Sequence, residues 1–389
     1  MTYHPATNAI RIQIPRTEEM EHSSPLFLTS SFVFENAEDM RAAFADETDA
    51  NIYSRFTNPN VKEFVDKMCA LEGAEAGFAT SSGMSAVYAS FMALLQKGDH
   101  IISCNAIFGS THTLFTKYFP RHGISCTYVN ANESNEWEKA ILPNTKMIYV
   151  ETPSNPGLDI IDLDFVGKLA KKYNLILNVD NCFATPFGQR PIEYGAHLVV
   201  HSATKWIDGQ GRVLGGVVVG KKELIRDIYL FCRSTGAALS PFNAWILSKS
   251  LETLDVRMER HSANALYLAK SLEGHPKINW LKHPFLPNHP QHEIAKRQMK
   301  NGGGLFCFEL KGGLESGRNF LNHLKLFSLT ANLGDARSIA SHPASTTHAK
   351  LTEAERSAVN ITPGLIRISA GLEHVDDLLN DILKSLENC

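Results

Sequence analysis

Short apolar runs alternate with helix-like stretches over most of the chain. Between most of these runs the apolar residues recur at intervals of three and four, which is the spacing of an amphipathic helix. Strands that are apolar throughout and separated by helices predict an α/β fold, with a mostly parallel sheet covered by helices on both faces. The predicted strands are residues 76–80, 101–104, 126–129, 147–150, 176–179, 198–200 and 217–219.

The pattern divides the chain into three parts. Residues 1–50 are polar and irregular, and they predict an arm that packs on a partner subunit rather than a domain. A central domain is expected over residues 51–245 and a smaller α+β domain over residues 246–389. One long helix, from Pro241 past Leu272, is expected to connect them; strands at 305–310 and 367–369 and a helix at 375–386 follow.

Three strands are followed by polar residues at their predicted carboxyl ends, where parallel sheets collect their binding sites. These residues are Glu151, Asp180 and Ser202, and Lys205 comes shortly after Ser202. Burying an ammonium group costs on the order of several kcal/mol unless it is paired or neutralised. A lysine here therefore suits a Schiff base to pyridoxal phosphate (PLP), which uses a partly desolvated amine as nucleophile. The alternative is a solvated surface lysine.

The residues around Lys205 strengthen the PLP interpretation. A carboxylate such as Asp180 against the pyridine nitrogen keeps that ring protonated, although an aspartate after a strand is more often a helix or turn cap. Ser202 and Thr204 share one alternating face, so both hydroxyls could reach the phosphate. The presence of Asp180 and Lys205 at this spacing favours PLP binding.

A second phosphate-binding feature lies between a predicted strand and a predicted helix, at Ser82, Gly83 and Met84. The first amides of a helix have no partner within it, and the helix dipole favours an anion there. Glycine also allows the backbone to approach a ligand closely. An ordinary serine N-cap is the simpler interpretation, and the two are compatible.

Several motifs together resemble the Cys/Met-metabolism family of PLP enzymes, which includes cystathionine synthases and lyases, methionine lyase and the homoserine-ester sulfhydrylases. The resemblance covers nearly the whole chain and implies PLP-dependent fold type I, PLP as cofactor and small-molecule amino-acid substrates. The motifs are Tyr53-Ser54-Arg55-Phe56-Thr57-Asn58-Pro59, residues 81–86, the segments around Asn155, Asp180 and Lys205, residues 342–348, and Arg367-Ile368-Ser369.

The resemblance also implies roles for residues that local patterns do not explain. Tyr53 and Arg55 are expected to reach the cofactor phosphate in the adjacent subunit, which implies at least a dimer and usually a tetramer of two dimers. Asn155 is expected to hydrogen-bond the phenolic oxygen of PLP. Arg367 suits the substrate α-carboxylate, since arginine binds carboxylates bidentately; without the resemblance, a surface salt bridge would be the default.

Three departures from the wider family bear on the reaction. Phe108 stands where many members have a tyrosine stacked on the cofactor, so it keeps the stacking but lacks a hydroxyl that could protonate the leaving group. Ser110 replaces the cysteine of methionine lyases, and Asn332, on the substrate side with Tyr53, replaces a serine common in lyases.

These departures favour replacement at Cγ of an O-acylhomoserine by sulfide, giving homocysteine in methionine biosynthesis, because a carboxylate leaves without needing an acid. Within the family, residues 108–111 and 208–212 most resemble the O-succinylhomoserine sulfhydrylases. The alternatives are cystathionine γ-synthase, a cystathionine or methionine γ-lyase, and a non-catalytic PLP carrier. Sequence leaves the acyl group and the sulfur donor open.

Composition excludes some partners. The chain has 38 basic and 41 acidic residues, a balance that gives no reason to expect nucleic acid or an anionic membrane. Neither a signal peptide at the N-terminus nor an apolar run of membrane-spanning length is visible. Seven scattered cysteines without Cys-x-x-Cys fit buried thiols in a reducing cytoplasm rather than disulfides or zinc. His342 and His348 could suggest a metal pair, but no further cluster of ligand residues accompanies them, so no metal is expected. Residues 342–348 are predicted to form a loop on the substrate side.

Overall fold

The computed structural model describes residues 3–104, 106–131, 133–346, 349, 352–353, 356 and 361–389. Within these residues, seven strands form a first sheet in the order β1-β7-β6-β5-β4-β2-β3. Its strands are β1 Ala76–Thr80, β2 His100–Cys104, β3 Ser125–Val129, β4 Thr145–Glu151, β5 Ile176–Asp180, β6 Leu198–Ser202 and β7 Gly216–Gly220. All seven predicted strands are confirmed, with ends that differ by at most two residues.

The sheet is parallel except at one side, where β7 runs antiparallel to both β6 and β1. The chain between β6 and β7 makes only turns. A parallel return needs a crossover connection, usually a helix, and this connection contains no helix, which fits the reversal of the chain. The mostly parallel α/β architecture is therefore confirmed.

Helices cover both faces of the first sheet and continue into the second half of the chain. The α-helices are α1 Pro5–Arg11, α2 Ala37–Phe44, α3 Pro59–Glu72, α4 Gly83–Met92, α5 Gly109–Thr113, α6 Ser134–Lys139, α7 Leu163–Tyr173, α8 Thr185–Gly188, α9 Lys222–Thr235, α10 Pro241–Leu251, α11 Leu254–Leu272, α12 His292–Gln298, α13 Gly313–His323 and α14 Val375–Glu387. A π-helix spans Leu114–Tyr118, and 3₁₀ turns span Phe119–His122, Pro191–Tyr194 and Pro343–Ser345.

The prediction of one long helix from Pro241 past Leu272 is wrong, because the helix breaks between α10 and α11. In a continuous helix the Ser250 carbonyl would accept a hydrogen bond from Leu254 N–H. It accepts instead from Thr253 N–H at 3.3 Å and from the Arg257 guanidinium at 2.9 Å. The first 50 residues also contain two short helices, α1 and α2, where the pattern predicts irregular chain.

A second sheet has the order β10-β11-β12-β9-β8 within the described residues. Its strands are β8 Ile278–Lys282, β9 Leu305–Leu310, β10 Ser328–Leu329, β11 Ile339–Ser341 and β12 Leu365–Ser369. This sheet and α14 enclose a core of their own, including Phe306, Phe308 and Ile382. The domain boundaries at residues 50 and 245 stay predictions.

Candidate active site

A cavity of about 310 Å³ lies between the carboxyl ends of the first sheet and the second sheet. Glu151, Asp180 and Ser202 are the last residues of three adjacent strands, as the sequence predicts. Most of the predicted site residues line this one cavity: Ser82, Gly83, Met84, Phe108, Asn155, Asp180, Ser202, Thr204, Lys205 and Arg367.

The start of α4 forms one end of the cavity. Ser82 is the N-cap, and its hydroxyl accepts a hydrogen bond from Ser85 N–H at 3.1 Å. The amides of Gly83 and Met84 come first in the helix, so they have no partner within it. A Cβ at Gly83 would lie 2.5 Å from Cβ of Ser202, so glycine is required for this close approach. The result is an anion-binding helix start packed against the end of β6.

Lys205 reaches the cavity from the turn after β6, and its Nζ donates to Asn332 Oδ1 at 2.6 Å. Burial lowers the pKa of Lys205, and the nearby Arg367 charge lowers it further. This amine is therefore closer to its nucleophilic, neutral form than a surface lysine. Ala331 and Leu333, on either side of Asn332, also line the cavity.

Asp180 is held from two sides at the end of β5. Its Oδ1 accepts from Cys182 N–H at 3.0 Å and its Oδ2 from the Tyr149 hydroxyl at 3.3 Å. Burial raises the pKa of Asp180, while the hydrogen bond from Cys182 and the charge of His201 oppose that rise. A protonated pyridine nitrogen is the kind of counter-charge that would offset the cost of burying this carboxylate.

Glu151 is a second buried carboxylate beside Asp180, and sequence reasoning gave it no role beyond its place at a strand end. Its Oε2 accepts the backbone N–H of Phe108 at 2.7 Å, and the backbone N–H of Asn155 bonds to the same carboxyl. Burial and the Asp180 charge raise the pKa of Glu151 well above its usual range. The side chain thus fixes two loops that carry cavity residues. Its position at the end of β4, next to Asp180, was the available signal.

Arg367 enters from β12 of the second sheet. Its Nη1 donates to Asn155 Oδ1 at 2.8 Å and its Nη2 to the Asn332 carbonyl at 3.4 Å. Burial lowers the pKa of Arg367 to about 10, which still leaves the guanidinium charged at neutral pH. A buried guanidinium whose partners are neutral can bind a carboxylate.

The two predicted phosphate ligands Ser202 and Thr204 differ in their positions and in the hydrogen bonds of their hydroxyls. Ser202 ends β6 and lines the cavity. Thr204 lies in the following turn rather than on the strand, so the expected alternating face ends at Ser202. The Thr204 hydroxyl bonds to Gly215, donating to its carbonyl at 3.3 Å and accepting from its N–H at 3.2 Å.

Tyr53 and Arg55 do not line this cavity. They line a shallow groove with α2 and the chain around Phe56, and Tyr53 is 41% exposed. The Arg55 guanidinium stacks on Phe56 at 4.6 Å and donates to the Arg233 carbonyl. In the same chain these side chains are therefore separate from the residues around Lys205.

The cavity residues fit PLP. The helix start at Gly83 suits a phosphate dianion, Asp180 suits the pyridine nitrogen, and the Lys205 amine suits the aldehyde. Phe108, which is 42% exposed, offers a flat apolar face at the cavity wall. These donors match the three chemically distinct parts of the cofactor.

The histidines of the chain do not form a metal site among the described residues. In the described part of the chain, no three or more His, Cys, Asp or Glu side chains group as metal ligands. His342 is buried, with its ring bonded to Ser345 Oγ and to the Pro363 carbonyl, both at 2.7 Å. His348 lies outside the described residues. None of the helices in the described ranges has the length and hydropathy of a membrane span.

Comparison with known proteins gives matches along the whole chain. A family model described as Cys/Met metabolism PLP-dependent enzyme matches residues 6–387. The chain is 46% identical over 380 residues to O-succinylhomoserine sulfhydrylase from Pseudomonas aeruginosa, covering 98% of this chain and 94% of that one. It is 43% identical over 366 residues to L-methionine gamma-lyase from Fusobacterium nucleatum subsp. polymorphum, covering 93% of each chain.

The fold also matches a solved structure of putative O-acetylhomoserine (thiol)-lyase from Campylobacter jejuni, determined with N'-pyridoxyl-lysine-5'-monophosphate. The TM-score is 0.95 at 33% identity, over 99% of this chain and 100% of that chain. These matches therefore cover both sheets and the cavity between them.

Proposed function

The chain belongs to the Cys/Met metabolism family of PLP-dependent enzymes, and on this premise we propose that it converts O-succinylhomoserine and sulfide to homocysteine and succinate. The reaction replaces the C–O bond at Cγ of the substrate with a C–S bond. The predicted recognition, fold type I and PLP cofactor are confirmed. The succinyl ester, the sulfur donor and the residue roles are part of the proposal.

The observation that carries this proposal is the lining of the cavity. Among the described residues of one chain that line it, there is no tyrosine or histidine, and Phe108 stands at the wall. A thiolate leaving group gains much from a nearby acid, whereas a carboxylate of low pKa leaves readily without one. Lys205 is the flexible proton carrier of this cavity, whereas the Glu151 carboxyl is fixed by two backbone amides. A cavity of this kind suits an ester substrate, whose leaving group needs no acid.

Each proposed role follows from a contact in the cavity. Bound PLP supplies the electron sink that lets Cα and Cβ lose protons. Arg367 binds the substrate α-carboxylate and orients Cα toward Lys205. Lys205 Nζ, held by Asn332, takes the proton from Cα and then moves protons between Cα, Cβ and the cofactor, while Cγ exchanges its oxygen for sulfur. Asp180 would keep the pyridine nitrogen protonated and Asn155 would donate to the phenolic oxygen. The amides of Gly83 and Met84 would hold the phosphate with the Ser202 hydroxyl, and Thr204 would join them by turning its hydroxyl from the Gly215 carbonyl to the phosphate.

Tyr53 and Arg55 are proposed to complete the site of an adjacent subunit, Tyr53 on both the phosphate and substrate sides. Two features support this: they are remote from the cavity of their own chain, and the groove that they line exposes Val33 (99%) and Phe44 (45%). An exposed apolar groove is typical of a protein contact. The proposed assembly is a homo-oligomer, a tetramer of two dimers. Seven free thiols among the described residues support a reducing cytoplasm as its location.

The shared site can be tested by complementation. Lys205→Ala and Arg55→Ala chains are co-expressed with different tags, and the heterodimers are isolated. If Arg55 acts on the partner's site, one site per dimer has both native residues and activity returns. Verified heterodimers that remain inactive contradict the shared site.

The reaction is tested by a crossed product assay. O-Succinyl- and O-acetylhomoserine are each supplied with sulfide or with cysteine, and cystathionine and methionine are tested for cleavage. We expect kcat/KM to be highest for the succinyl ester with sulfide, and Phe108→Tyr to raise lyase activity more than sulfhydrylation. Faster cleavage of cystathionine or methionine assigns a γ-lyase, faster use of cysteine assigns a cystathionine γ-synthase, and PLP binding without turnover assigns a carrier.

A further inference from the structure

A second cavity, of about 640 Å³, lies beside the active-site cavity. It is called the side pocket here and is lined by Arg318, Leu321, Asn322, Leu329, Thr330, Ala331, Ala340, Ser341, Ser345 and Thr346. Ala331 and Ser341 line both cavities. The side pocket therefore adjoins the active-site cavity at these two residues.

Ser341 marks the passage between the two cavities. It is paired with Arg367 across β11 and β12, and directly opposed residues present their side chains on the same face of a sheet. Arg367 extends into the active-site cavity, so Ser341 faces it too. The Ser341 hydroxyl is buried and forms no hydrogen bond with the described part of the chain. A buried hydroxyl without a partner is costly, which points to a ligand atom that bonds there.

The described lining of the side pocket carries one positive charge, that of Arg318, and no negative charge. Arg318 and Asn322 are one helical turn apart on α13 and thus share a face, and Thr330 lies opposite. The side chains of these three residues are exposed and form no ion pair or hydrogen bond within the described residues. The hydroxyls of Ser345 and Thr346 are already bonded to His342. No aspartate or glutamate belongs to the described lining.

The spacing of the two sites suits a substrate with a carboxylate at each end. Leu329 on β10, which lines the side pocket, lies two strands away from Arg367 on β12. Two strand spacings are about 10 Å. An extended O-succinylhomoserine separates its α-carboxylate from its succinyl carboxylate by a similar length. An acetyl ester has no second carboxylate and is shorter by the length of that group.

We propose that the side pocket binds the free carboxylate of the acyl group, with Arg318 as its cationic partner, and thereby selects esters of dicarboxylic acids. This inference rests on the proposed function. The Arg318 guanidinium donates to the carboxylate, Asn322 and Thr330 complete its hydrogen bonds, and Ser341 bonds to the ester. Arg318 is a specificity-determining residue that touches only the acyl end.

The test compares two esters in the holoenzyme with sulfide as donor. Arg318→Gln removes the charge, Arg318→Lys keeps it, and Lys311→Gln is the matched control, because Lys311 is an exposed cation just before α13 that does not line the pocket. We expect Arg318→Gln to lower kcat/KM for O-succinylhomoserine about tenfold, mainly through KM, since a charge-assisted contact is lost. In Arg318→Gln, kcat/KM for O-acetylhomoserine should stay within about twofold of the wild-type value. Arg318→Lys should recover part of the loss on O-succinylhomoserine, and Lys311→Gln should leave kcat/KM for both esters unchanged.

A binding measurement separates recognition from turnover. Succinate should inhibit the wild-type enzyme more strongly than acetate, and Arg318→Gln should remove that difference. An unchanged ratio between the two esters in Arg318→Gln, or an equal loss on both, overturns the side-pocket proposal while the sulfhydrylase assignment stands. A wild-type enzyme that converts neither ester overturns both.

Discussion

Gly216→Ala tests whether the phosphate binds at the start of α4. Gly216 does not line the cavity, but it packs against the residues that begin this helix. Gly216 is the first residue of β7 and is paired with Ser202 on one side and Thr80 on the other. A Cβ added there would lie 2.1 Å from the Ser82 carbonyl oxygen, 2.4 Å from its carbon and 2.7 Å from Gly83 N. All three atoms are backbone, so no side chain can rotate away. The start of α4 has to move instead.

The size of the effect follows from that displacement. The Ser82 oxygen has to retreat from 2.1 Å to at least 3.0 Å, the closest approach that real Cβ atoms show. Overpacking of this kind costs about 1–3 kcal/mol of unfolding free energy. The same shift displaces the Gly83 amide from the position in which it would bond the phosphate. Loss of one hydrogen bond to a charged group, about 1.5–3 kcal/mol, raises the Kd for PLP about 10- to 100-fold.

The assay is titration of the apoenzyme with PLP, followed by its absorbance, together with urea unfolding of the apo and PLP-bound forms. The control is Gly188→Ala, where the new Cβ would meet nothing closer than 3.4 Å and the backbone conformation suits alanine. We expect weak PLP binding for Gly216→Ala and near wild-type binding for the control. A Gly216→Ala enzyme that binds PLP as tightly as wild type refutes the location of the phosphate at the start of α4.

Three further predictions follow from the buried groups. Lys205→Ala should lose the visible absorbance of the lysine–PLP adduct and nearly all turnover; an active variant contradicts its role. Glu151→Gln should keep most of the stability, because a carboxyl with a raised pKa resembles an amide, whereas Glu151→Ala should lose about 1–3 kcal/mol by leaving two backbone amides unpaired, as measured by urea unfolding. Burial lowers the pKa of His261 and of His283 to about 4, so the unfolded chain binds more protons than the folded chain between pH 6.5 and pH 4. The unfolding free energy should therefore decrease as the pH is lowered from 6.5 to 4, by up to about 3 kcal/mol for each histidine. His283→Gln should make this dependence of the unfolding free energy on pH less steep.

Much of the cavity could be predicted because its residues stand at strand ends. Apolar runs fix the strands, parallel strands end at one edge, and Asp180, Ser202 and Lys205 then converge without further information. The start of α4 could be located for a similar reason, since a serine and a glycine between a strand and a helix mark a free helix terminus.

The missed features depend on contacts between distant parts of the chain. Helical periodicity continues across residues 252–253, but Arg257 takes the carbonyl that the helix would use. The hydrogen bond from Lys205 to Asn332 joins residues 127 positions apart, which no local pattern can indicate. Glu151 was visible as a strand-end carboxylate, but the amide of Phe108 that it holds was not.

Arg257 also joins parts of the molecule that the sequence separates. Its guanidinium donates to the carbonyls of Trp206 and Ile207, directly after Lys205, and to that of Ser250 at the helix break. A Cβ at Gly209 would lie 2.2 Å from this guanidinium, so the loop is closed tightly around it.

The consequence is mechanical. Arg257 links the turn that carries Lys205 to the first turn of α11 through these hydrogen bonds. The same helix continues into the core of the second sheet. If the second sheet tilts against the first, we expect the rotation to occur about Arg257 and the turn that carries Lys205 to keep its conformation. The amides of residues 205–209 and 254–257 should then exchange with deuterium as one cooperative unit.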